Sequence, residues 1–319
     1  MRSWSTLILV LCVTLLLIGG LLFGEIGSSL FGIDPPSWIA QNEPHVELPA
    51  GELTDSISLG LLGDFSITNT MLACWFTMVI VIGFFYIATR KMSLVPGRVQ
   101  GIAEWGIEML LNFVEEVAGR EDGRRFFSVI ATIFLFVMFN AYLALLPFFG
   151  ASMHMNVGGE EVHLFRSANT DLNLPLAIAV IAVFFVEYWG IKALGRNYLT
   201  STFFNFGPLF RSIKQLFTGK IGKGLGGLLT GFIKAFVSML ELASHGVRIV
   251  SFGFRLFGNM TAGEILLVVI CFLIPWLVAL PFYGLELLVG FVQALIFAGL
   301  TLVFAVIAVT PHEHEEEED

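Results

Sequence analysis

The sequence predicts an all-α, polytopic membrane protein. It should have about six hydrophobic segments, the last two forming a long tilted helical hairpin, plus an interfacial amphipathic helix. Three observations carry that prediction. Of 319 residues, 56% are hydrophobic and 13% are charged, about half the charged share of a soluble domain. Apolar stretches long enough to cross a bilayer recur at about 6–23, 70–89, 127–149 and 173–191, and longer segments follow at about 232–273 and 282–309. Finally, lysine and arginine crowd into alternate connections.

Residues 1–24 read as a signal-anchor or a signal peptide, because Arg2 precedes an apolar run. The run is long for a cleaved signal and no clear A-x-A site follows, so both readings stay open. Either leaves the external segment 25–69 outside. A membrane domain over 70–310 follows, and then an acidic tail at 311–319. No Lys or Arg occurs in 24–69 or 274–285, and Arg166 alone occurs in 150–172. By contrast, 90–126 and 192–234 hold Arg90, Lys91, Arg98, Arg120, Arg124, Arg125, Lys192, Arg196, Arg211, Lys214, Lys220, Lys223 and Lys234. The positive-inside rule then places both basic stretches, and both termini if the first span is retained, on the cytoplasmic side.

Within 98–122, Val99, Ile102, Ala103, Ile107, Leu110, Leu111, Val114 and Val117 recur at helical spacing, with Glu104, Glu108, Glu115 and Glu116 between them. This is the pattern of an amphipathic helix on the inner membrane face, entered through a turn at Pro96-Gly97. Segment 232–273 would be some 60 Å long as one helix, twice the hydrocarbon thickness. It must tilt, lie along the membrane or break. Pro275 and Pro281 permit a hairpin into the sixth segment.

The fifth segment also carries the chemistry. Glu241, Ser244, Arg248, Ser251, Arg255 and Asn259 recur every three or four residues on an otherwise apolar helix. Arg255 is the sharpest of them. Its guanidinium cannot shed its charge, and near the bilayer centre it costs at least about 2.5–3.5 kcal/mol. A charged partner or a wet cavity must compensate. A snorkelling arginine or a purely structural helix seam is the plain alternative, which two charged residues in one stripe argue against. Glu264 lies nine residues beyond Arg255, about half a turn away in rotation, so a simple ion pair between them is not expected. On the sixth segment Glu286 and Gln293 are seven apart and share a face. Antiparallel packing would bring Glu286 to the level of Glu264 and Gln293 nearer Arg255.

Arg255-Leu256-Phe257-Gly258-Asn259-Met260, followed by Ala262-Gly263-Glu264, resembles the signature of subunit a of the F-type ATP synthase, the proton-channel subunit of its membrane sector. Glu241, Gln293-Ala294, Val95-Pro96-Gly97-Arg98-Val99-Gln100, Asp171-Leu172-Asn173, and Asn140 with Leu145-Leu146-Pro147 resemble further family segments. The resemblance covers about 65–310. It departs from the family in the extra span at 1–24, the long stretch 196–232, and a glutamate at Glu286 where many bacterial members carry histidine.

The resemblance implies a stationary, non-catalytic channel beside a rotating c-ring, coupling proton translocation to ATP synthesis. Arg255 would face the ring carboxylate. Glu264, Glu286 and Asn259 would line an outer half-channel, and Glu241, Ser244 and His245 an inner one, with Gln293 aligned to Glu286. The c-ring, peripheral stalk b subunits and membrane lipids are the implied partners in a cell (inner) membrane, with no cofactor, no metal and no nucleic acid. The competing reading is a proton- or sodium-coupled secondary transporter, although the two halves show no convincing repeat. Gly222-Lys223-Gly224-Leu225-Gly226-Gly227 fits GxGxxG without a preceding strand and is a poor nucleotide signal. His154, Glu160, Glu161 and His163 read as a solvated outer loop. Cys12, Cys74 and Cys271 form no CxxC.

Overall fold

In the computed structural model the described residues are 2–32, 50–54, 57–58, 64–146, 154–157, 160–195, 212, 221–274 and 276–310. The acidic tail, most of 25–69 and most of 196–220 lie outside them. The helices are α1 (Arg2–Phe23), α2 (Glu25–Phe31), α3 (Asn69–Thr89), α4 (Arg98–Ala118), α5 (Arg120–Ala144), α6 (Asn173–Leu194), α7 (Ile221–Leu273) and α8 (Ala279–Val309). Five of them, α3 and α5 to α8, are long and apolar enough to cross a membrane, and a shorter apolar stretch, Val10–Leu22, lies in α1. The protein is a multi-pass membrane protein of the all-α class.

Each boundary has a local cause. Thr68 caps α3 by accepting a hydrogen bond from the Met71 amide at 3.3 Å. Gly97 caps α4 in extended backbone. Gly119, at φ +77°, ends α4 at Ala118, short of the expected residue 122, because few other residues adopt that conformation. The chain restarts at once as α5, whose polar first turns Arg120–Arg125 extend it ahead of the apolar run. Arg124 Nε donates to Glu115 Oε1 at 2.8 Å across this corner. In α4, Leu110 and Val114 are buried, while Val99, Ile102, Trp105 and Met109 form an exposed apolar stripe, as expected of a helix touching lipid.

The fifth segment does not break. It is one helix of 53 residues, α7, so of the three expectations only tilting or lying along the membrane remain. Its first turns hold the backbone of the GxGxxG run, which is therefore helical and not the strand-to-helix loop a nucleotide site requires. A 3-10 turn, Trp276–Val278, leads into α8. Two hairpins were not expected from the sequence: β1 (Ile57–Ser58) with β2 (Asp64–Phe65), and β3 (His154–Val157) with β4 (Glu160–His163). The second pairs His154 with His163 and Val157 with Glu160.

The chain divides into two compact units. One comprises Met1–Lys91, Leu135–Leu172 and Leu256–Leu295; the other comprises Met92–Phe134, Asn173–Arg255 and Ile296–Asp319. In the first, Ala141 closes on Gly290, where an added Cβ would lie 2.9 Å from the alanine methyl. In the second, Phe126 packs edge-on to Trp189 at 5.3 Å, and Phe252 tilts against Phe297 at 5.2 Å. The α7–α8 contacts in each unit are those of an antiparallel hairpin.

Candidate ion-translocation site

In the first unit, a polar cluster forms where four apolar elements meet. Asn140 on α5 and Asn169 in the 3-10 turn Ala168–Thr170 are fully buried, and Asn140 Nδ2 donates to Asn169 Oδ1 at 3.1 Å. Thr70 at the start of α3 donates to Asp171 Oδ2 at 2.9 Å. These bonds satisfy part of a polar cluster that would otherwise be costly to bury, and they hold the 3-10 turn that follows Arg166. The Arg166 guanidinium is 10% exposed, and its Nε lies 3.4 Å from Glu264 Oε1 on α7. Glu286 on α8 is 6% exposed, with its carboxyl packed against Gly263, the residue before Glu264. Any side chain at position 263 would collide with that carboxyl. Glu264 Oε2 and Glu286 Oε1 have no hydrogen-bond partner among the described residues. Gln293, two helical turns along α8, is buried and by the same antiparallel register falls level with Leu256.

The second unit holds the residues expected nearer the basic side. His245 Nδ1 lies 2.6 Å from Glu187 Oε1 on α6, with side chains 13% and 19% exposed. Arg248 sits 3.6 Å over the Phe304 ring on α8, a compensating contact for a cation in apolar surroundings. Gly253 lets α6 approach, since an added Cβ would lie 2.6 Å from Leu176 Cδ2.

The expected single stripe on α7 therefore divides. Arg248 turns toward α8, Glu241 is half-buried, and Ser244, Ser251, Arg255 and Asn259 are exposed. Ser244 and His245, consecutive on the helix, point about 100° apart, and His245 is turned to α6 while Ser244 is exposed. Phe254 and Gly258 complete the exposed face around Arg255. Among the described residues, no hydrogen bond or ion pair reaches Arg255. A permanent cation is thus displayed on a face of a membrane-length helix, with no ion pair to balance it among the described residues.

The chain matches the family model described as "ATP synthase A chain" over residues 71–306. The chain belongs to the ATP synthase A chain family. It is 31% identical over 237 residues to ATP synthase subunit a of Sulfurihydrogenibium sp. (strain YO3AOP1), covering 74% of this chain and 95% of that protein. It is similarly 31% identical over 253 residues to ATP synthase subunit a of Gloeobacter violaceus, covering 79% and 88%. Subunit a of Moorella thermoacetica is 28% identical over 243 residues, covering 76% and 91%. As a member of this family the chain is the proton-channel subunit of an F-type ATP synthase and works within a multi-subunit complex. Nothing in these likenesses favours the self-contained transporter.

Two residues of the site escaped sequence reasoning. Arg166 stood out only as the lone basic residue of 150–172, and its partner is 98 residues away. Glu187 ends the apolar run from Leu174 to Val186. It lies inside the expected span 173–191, and the fold places it against a histidine.

Proposed function

We propose that this family member provides two offset half-channels to a rotating c-ring, and that Arg255 is the cation past which each ring carboxylate moves. The outer half-channel uses Glu264, Glu286 and Asn259, with Gln293 on the face of α8 that carries Glu286. The inner half-channel uses Glu241, Ser244 and His245. The chain forms no bonds itself and is non-catalytic. Peripheral stalk b subunits and lipid complete its surroundings in the cell (inner) membrane, with the basic stretches and a retained N-terminus on the cytoplasmic side.

The observation that carries this reading is the exposure of Arg255 beside Phe254, Gly258 and Asn259. A guanidinium in a membrane face with no ion pair among the described residues calls for an anionic partner, and a partner from outside the chain answers that need. A ring carboxylate fits. Opposite charge favours its ionised form as it reaches Arg255, so it gives up its proton there. The fixed positive charge also repels a proton passing directly between the half-channels. Each proton crossing 100 mV releases about 2.3 kcal/mol, so several crossings per ATP are required, and a ring of carboxylates supplies them. Exchanging Arg255→Ala in the assembled complex tests the reading: ATP-driven proton pumping into vesicles should fall to background while the ring still copurifies. Coupled pumping in that variant would contradict it.

A further inference from the structure

The two carboxyls of the first unit differ in what surrounds them. Glu264 is 37% exposed, and the Arg166 guanidinium stands 3.4 Å away. Glu286 is 6% exposed. Its Oε1 is buried without a hydrogen-bond partner, and no ion pair reaches its carboxyl among the described residues. That carboxyl lies against Gly263 of α7, which has no side chain to donate and an amide engaged within the helix. Charge is sparse on the elements around it. On α8, Tyr283 is the only other titratable residue of Ala279–Val309. On α7, residues 256–273 hold Glu264 and Cys271. On α5, which meets α8 where Ala141 and Tyr142 approach Gly290, residues 126–144 hold Tyr142 alone. A purely structural acid would carry a partner, as Asp171 does in Thr70. A lone ionised carboxylate in apolar surroundings is so costly that such a group keeps its proton instead. A neighbouring cation and contact with solvent favour the charged form.

We propose that Glu286 is the proton store of the outer half-channel, resting as a neutral carboxylic acid, while Glu264 rests as a carboxylate beside Arg166. This rests on the half-channel reading above and divides a role which that reading gives to the two acids together. Glu286 passes its proton onward to an ionised ring carboxylate. Its own O–H bond breaks, and one forms on the ring. The Glu286 carboxylate left behind is buried and unpaired, so it takes up a proton from the outer side, where Glu264 is the more exposed of the two acids. One proton enters and one leaves, and both acids return to their resting forms.

The test is infrared spectroscopy of the whole membrane sector in vesicles, in ordinary and in heavy water. A protonated carboxyl shows a C=O stretch apart from the carboxylate bands, and that stretch moves on deuteration. Glu286→Gln should remove one such stretch from the wild-type spectrum. Glu264→Gln should leave it in place and remove a carboxylate band. A protonated stretch that persists in Glu286→Gln, whether or not Glu264→Gln removes it, would overturn the store. Should Glu286→Gln fail to assemble with the ring, Glu286→Asp decides. It keeps an acid but draws it back from Gly263, so the stretch should shift in frequency; an unmoved stretch would sink the proposal. Passive proton flux through the same vesicles, with the catalytic head removed and a potassium diffusion potential applied, gives a second reading. Glu286→Gln should slow it by at least about a hundredfold, the low end of general acid–base contributions, and by more than Glu264→Gln does. Equal losses would contradict the division of roles. Arg255→Ala is measured in parallel. If coupled pumping survives there, the half-channel reading itself fails whatever the bands show; if Arg255→Ala uncouples and no protonated stretch belongs to Glu286, only the store falls.

Discussion

Arg166 and Arg255 face the same physical problem in opposite ways. Arg166 is buried in a knot of hydrogen-bonded side chains and pairs with Glu264 at 3.4 Å. Arg255 is exposed on a helical face, and no described residue balances it. A third arginine, Arg248, is compensated by the Phe304 ring at 3.6 Å. A chain that compensates two arginines internally has the means to compensate a third. An Arg255 that no described residue compensates fits the proposed reading, in which the anion comes from another subunit. The contrast also separates two kinds of site: the first unit pairs its buried arginine, whereas the exposed face of α7 leaves one that the proposed function assigns to a passing carboxylate.

The sharpest break of this comparison sets Arg255→Ala against Arg248→Ala. The first removes the charge that a moving carboxylate meets, and ATP synthesis driven by an imposed proton gradient should drop to background. The second removes a cation–π contact of about 0.5–2 kcal/mol, and synthesis should stay within about threefold of wild type. Equal losses in the two variants would erase the distinction between a displayed and a compensated arginine.

A smaller effect is expected at Arg166. Breaking a buried pair by removing one partner can cost about 3–5 kcal/mol. Glu264 is 37% exposed, so solvent screening reduces the penalty here. Arg166→Gln should lower the melting temperature of the assembled complex, and Arg166→Gln with Glu264→Gln should recover part of it, since no charge is then left without a partner. A double variant less stable than the single one would mean that Arg166 acts through other contacts and does not anchor Glu264.

These contrasts were only partly legible in the sequence. Hydropathy marks the apolar spans, because lipid imposes a length on every helix that crosses it, although α5 begins seven residues and α7 eleven residues ahead of the segments expected at 127–149 and 232–273. The motif around Arg255 marks the cation to which the family resemblance gives the central role. What the sequence left open was the direction each polar residue takes. Spacing of three and four put Arg248 and Arg255 in one stripe, yet a broad stripe on α7 meets different neighbours at its two edges, and Arg248 reaches Phe304 while Arg255 reaches outward. Glu187 and Arg166 were legible only as isolated charges, since their partners are 58 and 98 residues away in the chain. The β3–β4 hairpin was read as loop because strands of four residues carry too little periodicity to announce themselves.

The smallest expected effect lies at the corner between α4 and α5. Arg124 donates to Glu115 at 2.8 Å, with side chains 63% and 19% exposed. Exposed pairs of this kind contribute about 0.2–1 kcal/mol and are screened by salt. The turn itself is held by Gly119 at φ +77° and by Gly123, whose Cα approaches Glu115 so closely that an added Cβ would lie 3.1 Å from the glutamate Cα. Arg124→Ala should therefore leave both proton pumping and the melting temperature of the complex close to wild type, whereas Gly123→Val should lower the melting temperature. If Arg124→Ala were instead as damaging as the loss of Arg166, exposure would not be what separates structural from dispensable charges in this chain, and the ranking of its arginines by what surrounds them would have to be redrawn.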